Sequence, residues 1–223
     1  MKYNYKKDKI EIIKKAINLD LANFIYNYFL IKRQVAQTMF ETKYISSLTE
    51  DYGHWRDKQV PNTYSHYADI GMETLLLLVQ PTLEKVVKHK LIPNYSYARI
   101  YKQGDVLERH KDRFSCEVST TMNLGGDNWP IYLDPTNTHI PREDEPYKVI
   151  GNKGTKINLN PGDMLIYSGC ALEHWREKFT GNECAQVFLH YNDSKTKGSK
   201  KNMFDTRPHL GLPEDFKKDY PWK

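Results

Sequence analysis

The 223-residue sequence predicts an α+β chain, mainly β, in which helices precede an antiparallel sandwich or barrel. Three observations carry this reading. Apolar residues recur at helical spacing only in the first part of the chain. After Pro93 the period drops to two, in short runs rich in Tyr, Ile, Val and Thr. Turn-forming Gly, Asn, Asp and Pro separate those runs at close intervals. The length suits a single domain over 1–223. Within it, 1–93 reads as mainly helical support and loop, 94–191 as the β core and 192–223 as a tail that wraps the surface or is partly mobile.

The elements follow in order. Asp20 can cap a helix that carries Leu21, Phe24, Ile25, Tyr28 and Phe29 at spacings of three and four. Tyr44–Asp69, rich in Tyr, Ser and His, reads as a loop that can form a lid. A second helix is expected over Ile70–Lys90, kinked or broken at Pro81. Strands are expected at Tyr95–Tyr101, Val118–Leu124, Trp129–Leu133 and Gln186–Tyr191. Thr155–Leu159 and Met164–Tyr167 read as a hairpin around Asn160-Pro-Gly-Asp163.

Composition narrows the function. With 39% apolar residues and 16 tyrosines, the chain can offset its ordering entropy by burial, so global disorder is not expected. The net charge of +5 comes from short lysine runs such as Lys6–Lys9 and Lys195–Lys201. Neither run interleaves bases with aromatics, so a nucleic-acid partner is the weaker reading beside a solvated lysine surface. Three cysteines, Cys116, Cys170 and Cys184, form no CxxC pair, which argues against a disulfide framework or a structural zinc site. A reducing, cytoplasmic compartment is expected. The N-terminal residues lack a signal-peptide pattern, and the longest apolar run, Leu75–Val79, is too short to span a membrane.

The informative segment is Arg109-His-Lys-Asp-Arg113. At a strand end, residues i and i+2 point to the same side, so His110 and Asp112 would project into one cavity. An imidazole and a carboxylate then offer two ligands to a metal. A second histidine on the same face would leave open positions, the arrangement used by non-haem iron(II) oxygenases. HxD alone is a weak signal. Here it follows a strand and a Gly turn, and Pro161-Gly-Asp-Met-Leu-Ile-Tyr167 and His174 come downstream. The third ligand has two candidates, His174 and His190, and His174 is preferred.

The segment Arg99–Asp112, with Pro161–Tyr167 and His174, resembles prolyl-4-hydroxylase-like 2-oxoglutarate/iron(II) dioxygenases over roughly Tyr95–Tyr191. Within that group it is similar to small members from phage and bacteria, which would place it in a bacterial or host cytoplasm. The resemblance implies a double-stranded β-helix, the jelly-roll or cupin-like barrel, braced by N-terminal helices. It implies His110, Asp112 and His174 as ligands to iron(II). It also implies 2-oxoglutarate as cosubstrate, molecular oxygen as oxidant and ascorbate as an optional reductant. The implied reaction hydroxylates a peptide or protein side chain, proline first, while 2-oxoglutarate is decarboxylated to succinate. Halogenating relatives lack the carboxylate ligand, so Asp112 favours oxygen insertion.

One departure stands out. The family usually draws a basic residue for the distal carboxylate of 2-oxoglutarate from the last strand, about ten residues after the distal histidine. Asn182-Glu-Cys-Ala-Gln186 contains none. Arg176 and Arg99 are the substitutes, with Tyr101 matching the family's cosubstrate tyrosine and Asn123 as a further hydrogen-bond donor. The departure keeps one rival reading open, a metal-binding barrel without catalysis, and the positive charge keeps open another, a nucleic-acid-directed oxygenase. A hydrolytic zinc site is disfavoured because HExxH is absent.

Overall fold

The computed structural model describes residues 3–46, 48–136 and 153–218. Residues 219–223 of the tail lie outside them. The chain runs α1 (Tyr5–Asp8), β1 (Ile10–Ile13), α2 (Leu19–Glu41), β2 (Tyr64–Tyr67) and α3 (Ile70–Val87). It continues through β3 (Leu91–Lys102), β4 (Leu107–His110), β5 (Val118–Gly126), β6 (Ile131–Asp134) and β7 (Thr155–Ile157). β8 (Met164–Tyr167), β9 (Glu173–Arg176) and β10 (Glu183–Asp193) complete the strands. One sheet has the order β1-β8-β5-β10-β3-β2 and the other β4-β9-β6-β7. Every pairing is antiparallel, and the arrangement is a jelly roll braced by helices.

The larger sheet separates two chemistries by strand periodicity. Ala98, Ile100, Met122, Leu124, Met164, Ile166, Val187 and Leu189 share a core with α2 and α3. The alternate residues face the second sheet. They include Tyr97, Arg99, Tyr101, Ser119, Thr121, Tyr167, Phe188 and His190, and several of them line a cavity between the sheets. Both faces of this sheet are therefore buried, and its inner face is polar.

Several expectations need correcting. Asn18, not Asp20, caps α2: its Oδ1 accepts from Leu21 N at 2.8 Å. Asp20 lies in the first turn, where a negative charge suits the helix dipole. Phe24 is 70% exposed, and the buried stripe of α2 is Ala22, Ile25, Phe29 and Ala36. The second helix ends at Val87 and runs through Pro81 without a break. Pro81 and Leu77 are both exposed, so the Leu77 carbonyl that loses its donor can meet water. The expected hairpin does not form. β7 pairs with β6 in one sheet, whereas β8 pairs with β1 and β5 in the other. Asn160–Asp163 is the crossing between sheets, a type of link that local sequence does not distinguish from a hairpin turn.

The loop between α2 and α3 contains β2 and is tied down by Trp55, which packs against Phe40 and Tyr64. The tail folds back as well. Arg207 is buried and donates to Glu73 Oε1 at 2.7 Å and to the Asn94 carbonyl.

Asp69 joins the two long helices. It caps α3 through Met72 N, accepts from Tyr28 Oη at 2.7 Å and pairs with Lys32 of α2. Burial opposes its charge, but His66 and Lys32 outweigh burial and hold the carboxyl well below its usual range. Asp69→Ala is expected to cost about 3 kcal/mol in urea unfolding at pH 7, the low end for removing one partner of a buried ion pair. Because the folded value is depressed, this contribution is present above about pH 4 and is lost as pH falls toward the folded value. On acidification below pH 4 the variant should lose stability less steeply than the native chain. Parallel slopes would sink this assignment.

Candidate metal centre

His110 ends β4 and His174 lies on β9, and the two are register partners across the ladder. Leu107 also pairs with β9, opposite Arg176, so three steps on β4 match two on β9. This bulge lets Leu107 and His110 both face the cavity, although residues three apart on a regular strand point to opposite faces. The imidazole centroids are 4.3 Å apart. Asp112 follows two residues after His110 and is anchored by its N–H to the Gly169 carbonyl at 2.9 Å. Its Oδ1 lies 3.5 Å from Nε2 of both histidines. His110, Asp112 and His174 thus form a cluster with metal-ligand spacing.

The tautomers follow from the hydrogen bonds. His110 Nδ1 lies 2.7 Å from the Glu108 carbonyl, and His174 Nδ1 lies 3.1 Å from the Leu172 carbonyl. A carbonyl only accepts, so each Nδ1 carries the proton and each Nε2 presents a lone pair to the centre. Ser119 Oγ contacts the other oxygen of Asp112, Oδ2, at 3.3 Å. Tyr167 meets the His174 ring edge-on at 4.8 Å.

The cavity has a volume of about 210 Å3. His110, Asp112 and His174 sit on its wall with the apolar Leu107, Ile131 and Phe188. His190, the other candidate ligand, also lines it but belongs to a different grouping with Asp112 and Cys116. Its Nδ1 lies 3.0 Å from Ser119 Oγ, its ring packs tilted against Tyr95, and burial lowers its pKa to about 4.

The four residues expected around the cosubstrate separate. Asn123 gives its amide to the Leu159 carbonyl at 2.7 Å, in the crossing between sheets, and does not line the cavity. Arg99 lines the cavity and is paired with Asp57. Tyr101 is fully buried, with its hydroxyl 3.4 Å from Arg99 Nη1 and its ring against Trp129. Arg176 is 1% exposed and points to the same side of β9 as His174. It donates to the Trp129 carbonyl and to Thr121 Oγ1, and its Nε has no partner. Among the described residues no carboxylate pairs with it. Burial pulls its pKa down, against the pull of Tyr101, Cys184 and Tyr167.

Sequence reasoning did not find Asp57 and Gln59. Gln59 Nε2 lies 3.0 Å from His110 Nε2, and its Oε1 accepts from Arg99 at 2.9 Å. Some fifty residues separate Gln59 from His110, so no local pattern could signal the contact.

No family model matches the sequence, and no curated protein does. Solved structures do match the fold. A prolyl-4-hydroxylase from Pseudomonas putida aligns with a TM-score of 0.55 and 10% identity, over 85% of this chain and 95% of that one. HygX from Streptomyces hygroscopicus, with nickel, 2-oxoglutarate and hygromycin B bound, gives 0.56 and 13% over 86% and 85%. A Trichoplax adhaerens prolyl hydroxylase, in complex with a hypoxia-inducible-factor peptide fragment, gives 0.54 and 12% over 86% of each chain. The chain therefore has the jelly-roll fold of prolyl-4-hydroxylase-like and other 2-oxoglutarate/iron(II) oxygenases.

Gly169 is a steric requirement of this centre. A Cβ there would meet Asp112 Oδ2, the Cys116 carbonyl at 2.6 Å and Ser119 Oγ at 2.7 Å. Gly169→Ala should therefore weaken manganese(II) binding at least ~10-fold, the range for disturbing groups that orient ligands. Its circular dichroism should stay native. Unchanged affinity would mean that Asp112 is not a ligand.

Proposed function

We propose that the chain is an iron(II)- and 2-oxoglutarate-dependent dioxygenase that hydroxylates a peptide or protein side chain in the manner of prolyl hydroxylases. The observation that carries the reading is the pairing of the His110–Asp112–His174 cluster with a buried guanidinium, Arg176, whose Nε has no partner and which meets no carboxylate among the described residues. Two neutral imidazoles and one carboxylate on a single face suit iron(II) and leave positions for a chelating cosubstrate and oxygen. Burying an unpaired cation is costly, so Arg176 is suited to an anionic ligand group. The distal carboxylate of 2-oxoglutarate is such a group. Arg176, from the strand of the distal histidine, takes the place of the missing basic residue on β10.

Iron(II) and 2-oxoglutarate, when bound, would supply oxygen activation and the electrons released by decarboxylation of the cosubstrate to succinate. The chain's own residues bind, orient and shield. Glu108 and Leu172 hold the two imidazoles through their carbonyls. Ser119 contacts the second oxygen of Asp112. Arg176 would supply the donors to the cosubstrate carboxylate, with the Tyr101 hydroxyl nearby. Leu107, Ile131 and Phe188 keep that wall of the cavity dry. The Trichoplax adhaerens prolyl hydroxylase is in complex with a peptide fragment, and that supports a peptide substrate.

The test is an anaerobic titration with iron(II) and then 2-oxoglutarate, read by the weak visible charge-transfer band of the chelate. The native protein should develop the band and His174→Ala should not. Arg176→Met should bind iron(II) normally and 2-oxoglutarate at least ~10-fold more weakly, as expected for loss of a charge-assisted contact of roughly 1.5–3 kcal/mol. Iron binding with no band would favour a metal-binding protein without this chemistry. A proline-containing peptide that gains no oxygen atom under turnover would remove proline as the target.

A further inference from the structure

The segment Asp57–Gln59 reaches into the cavity as a strap. Val60 anchors its end, being 2% exposed in a cluster with Tyr101, Leu107, Trp129, Phe179 and Phe188. The Asp57 carboxylate accepts from both Arg99 Nη2 and Tyr97 Oη. Gln59 then bridges Arg99 and the His110 Nε2 lone pair through its two amide atoms. The side chains of the strap thus run from the inner face of the larger sheet to a ligand atom of the metal centre. A metal at His110 takes the lone pair to which Gln59 donates, so metal binding removes one of the strap's ties. What remains are the bonds of Arg99 and Tyr97 to Asp57 and of Arg99 to Gln59 Oε1, all made on the sheet's inner face.

Arg99 is built for an anion. It is 4% exposed, lies across the Tyr97 ring at 5.0 Å and keeps a buried Nε without a partner. On the proposed reading Arg176 takes the cosubstrate, and Arg99, the arginine that lines the cavity, is left for a second anion. Burial opposes the charge on Asp57, but Arg99 and Tyr97 overcome it and keep the carboxyl below its usual range.

We propose that Arg99, with Tyr97, is the subsite for a carboxylate of the primary substrate, and that Asp57 occupies it in the substrate-free protein. The inference rests on the oxygenase reading for the meaning of "substrate", though not for the binding itself. Access requires the strap to withdraw from Arg99. The shared chemistry is a carboxylate, which can belong to a free acid or to an acidic side chain beside the target residue of a peptide.

The experiment is a calorimetric titration of manganese(II)-loaded protein with three probes. They are N-acetyl-proline, N-acetyl-glutamyl-proline amide and the uncharged N-acetyl-prolinamide. A subsite blocked nine-tenths of the time by its own strap loses about tenfold in apparent affinity. Asp57→Asn should therefore tighten binding of a carboxylate probe at least ~10-fold, and the uncharged probe should not respond. Asp57→Asn with Arg99→Met, a pair that leaves no buried charge unmatched, should abolish the gain. Binding of the first probe alone identifies a free acid as the source, and of the second alone an acidic side chain. No gain in Asp57→Asn, or a gain that survives loss of Arg99, overturns the proposal. So does loss of the 2-oxoglutarate chelate band in the double variant, which would assign Arg99 to the cosubstrate. A native protein that shows no band but whose Asp57→Asn variant gains carboxylate affinity refutes the oxygenase reading and leaves the subsite standing.

Discussion

The bulged pairing of β4 with β9 is the constraint from which the site follows. It places His110 directly opposite His174 and turns Leu107 into the same cavity. With the rings 4.3 Å apart and both Nδ1–H groups committed to carbonyls, the Nε2 lone pairs converge without any side chain having to search for its position. Asp112 completes the cluster because its backbone is held to Gly169, whose missing side chain makes room for the carboxylate. Three parts of the chain, far apart in sequence, are thereby fixed by backbone hydrogen bonds rather than by flexible side chains.

The larger sheet makes this possible by burying both of its faces. One face packs on α2 and α3 with aliphatic residues and carries the stability. The other is freed to hold polar groups: Arg99, Tyr101, Ser119, Thr121, Gln186 and His190, all 5% exposed or less. Such an interior is tolerable only where each group has a partner. The exceptions are informative. Arg99 and Arg176 each keep an Nε without one, and Arg176 has no counter-charge among the described residues. Trp129 stacks on its guanidinium at 5.2 Å and offers its carbonyl, which lessens the cost of burial without neutralising the charge.

The two arginines differ in what surrounds them, and that difference separates their chemistry. Arg176 lies on β9 within the sheet, where it donates to the Trp129 carbonyl and Thr121 and meets no carboxylate among the described residues. Arg99 faces a segment of the inter-helix loop, and that segment brings its own carboxylate. A charge matched by a loop can be exchanged for a charge matched by a ligand, because loop contacts are weaker than those of a sheet interior.

Much of the site was legible in the sequence. The period-two runs after Pro93 announced the β core, since strand periodicity is a local property of side-chain alternation. HxD spacing put His110 and Asp112 together for the same reason, and the motif Pro161–Tyr167 pointed to His174. Local pattern failed where partners are chosen across the fold. It made a hairpin of β7 and β8, which belong to different sheets, and it proposed Asn123 for the cosubstrate although Leu159 takes its amide. It could offer Arg99 and Arg176 only as equals, because i+2 spacing gives the direction of a side chain and not what it meets. That Arg99 meets Asp57, that Arg176 meets no carboxylate among the described residues and that Gln59 reaches His110 were decided by tertiary packing alone. Such contacts span tens of residues, and only the closed pair of sheets sets their distances.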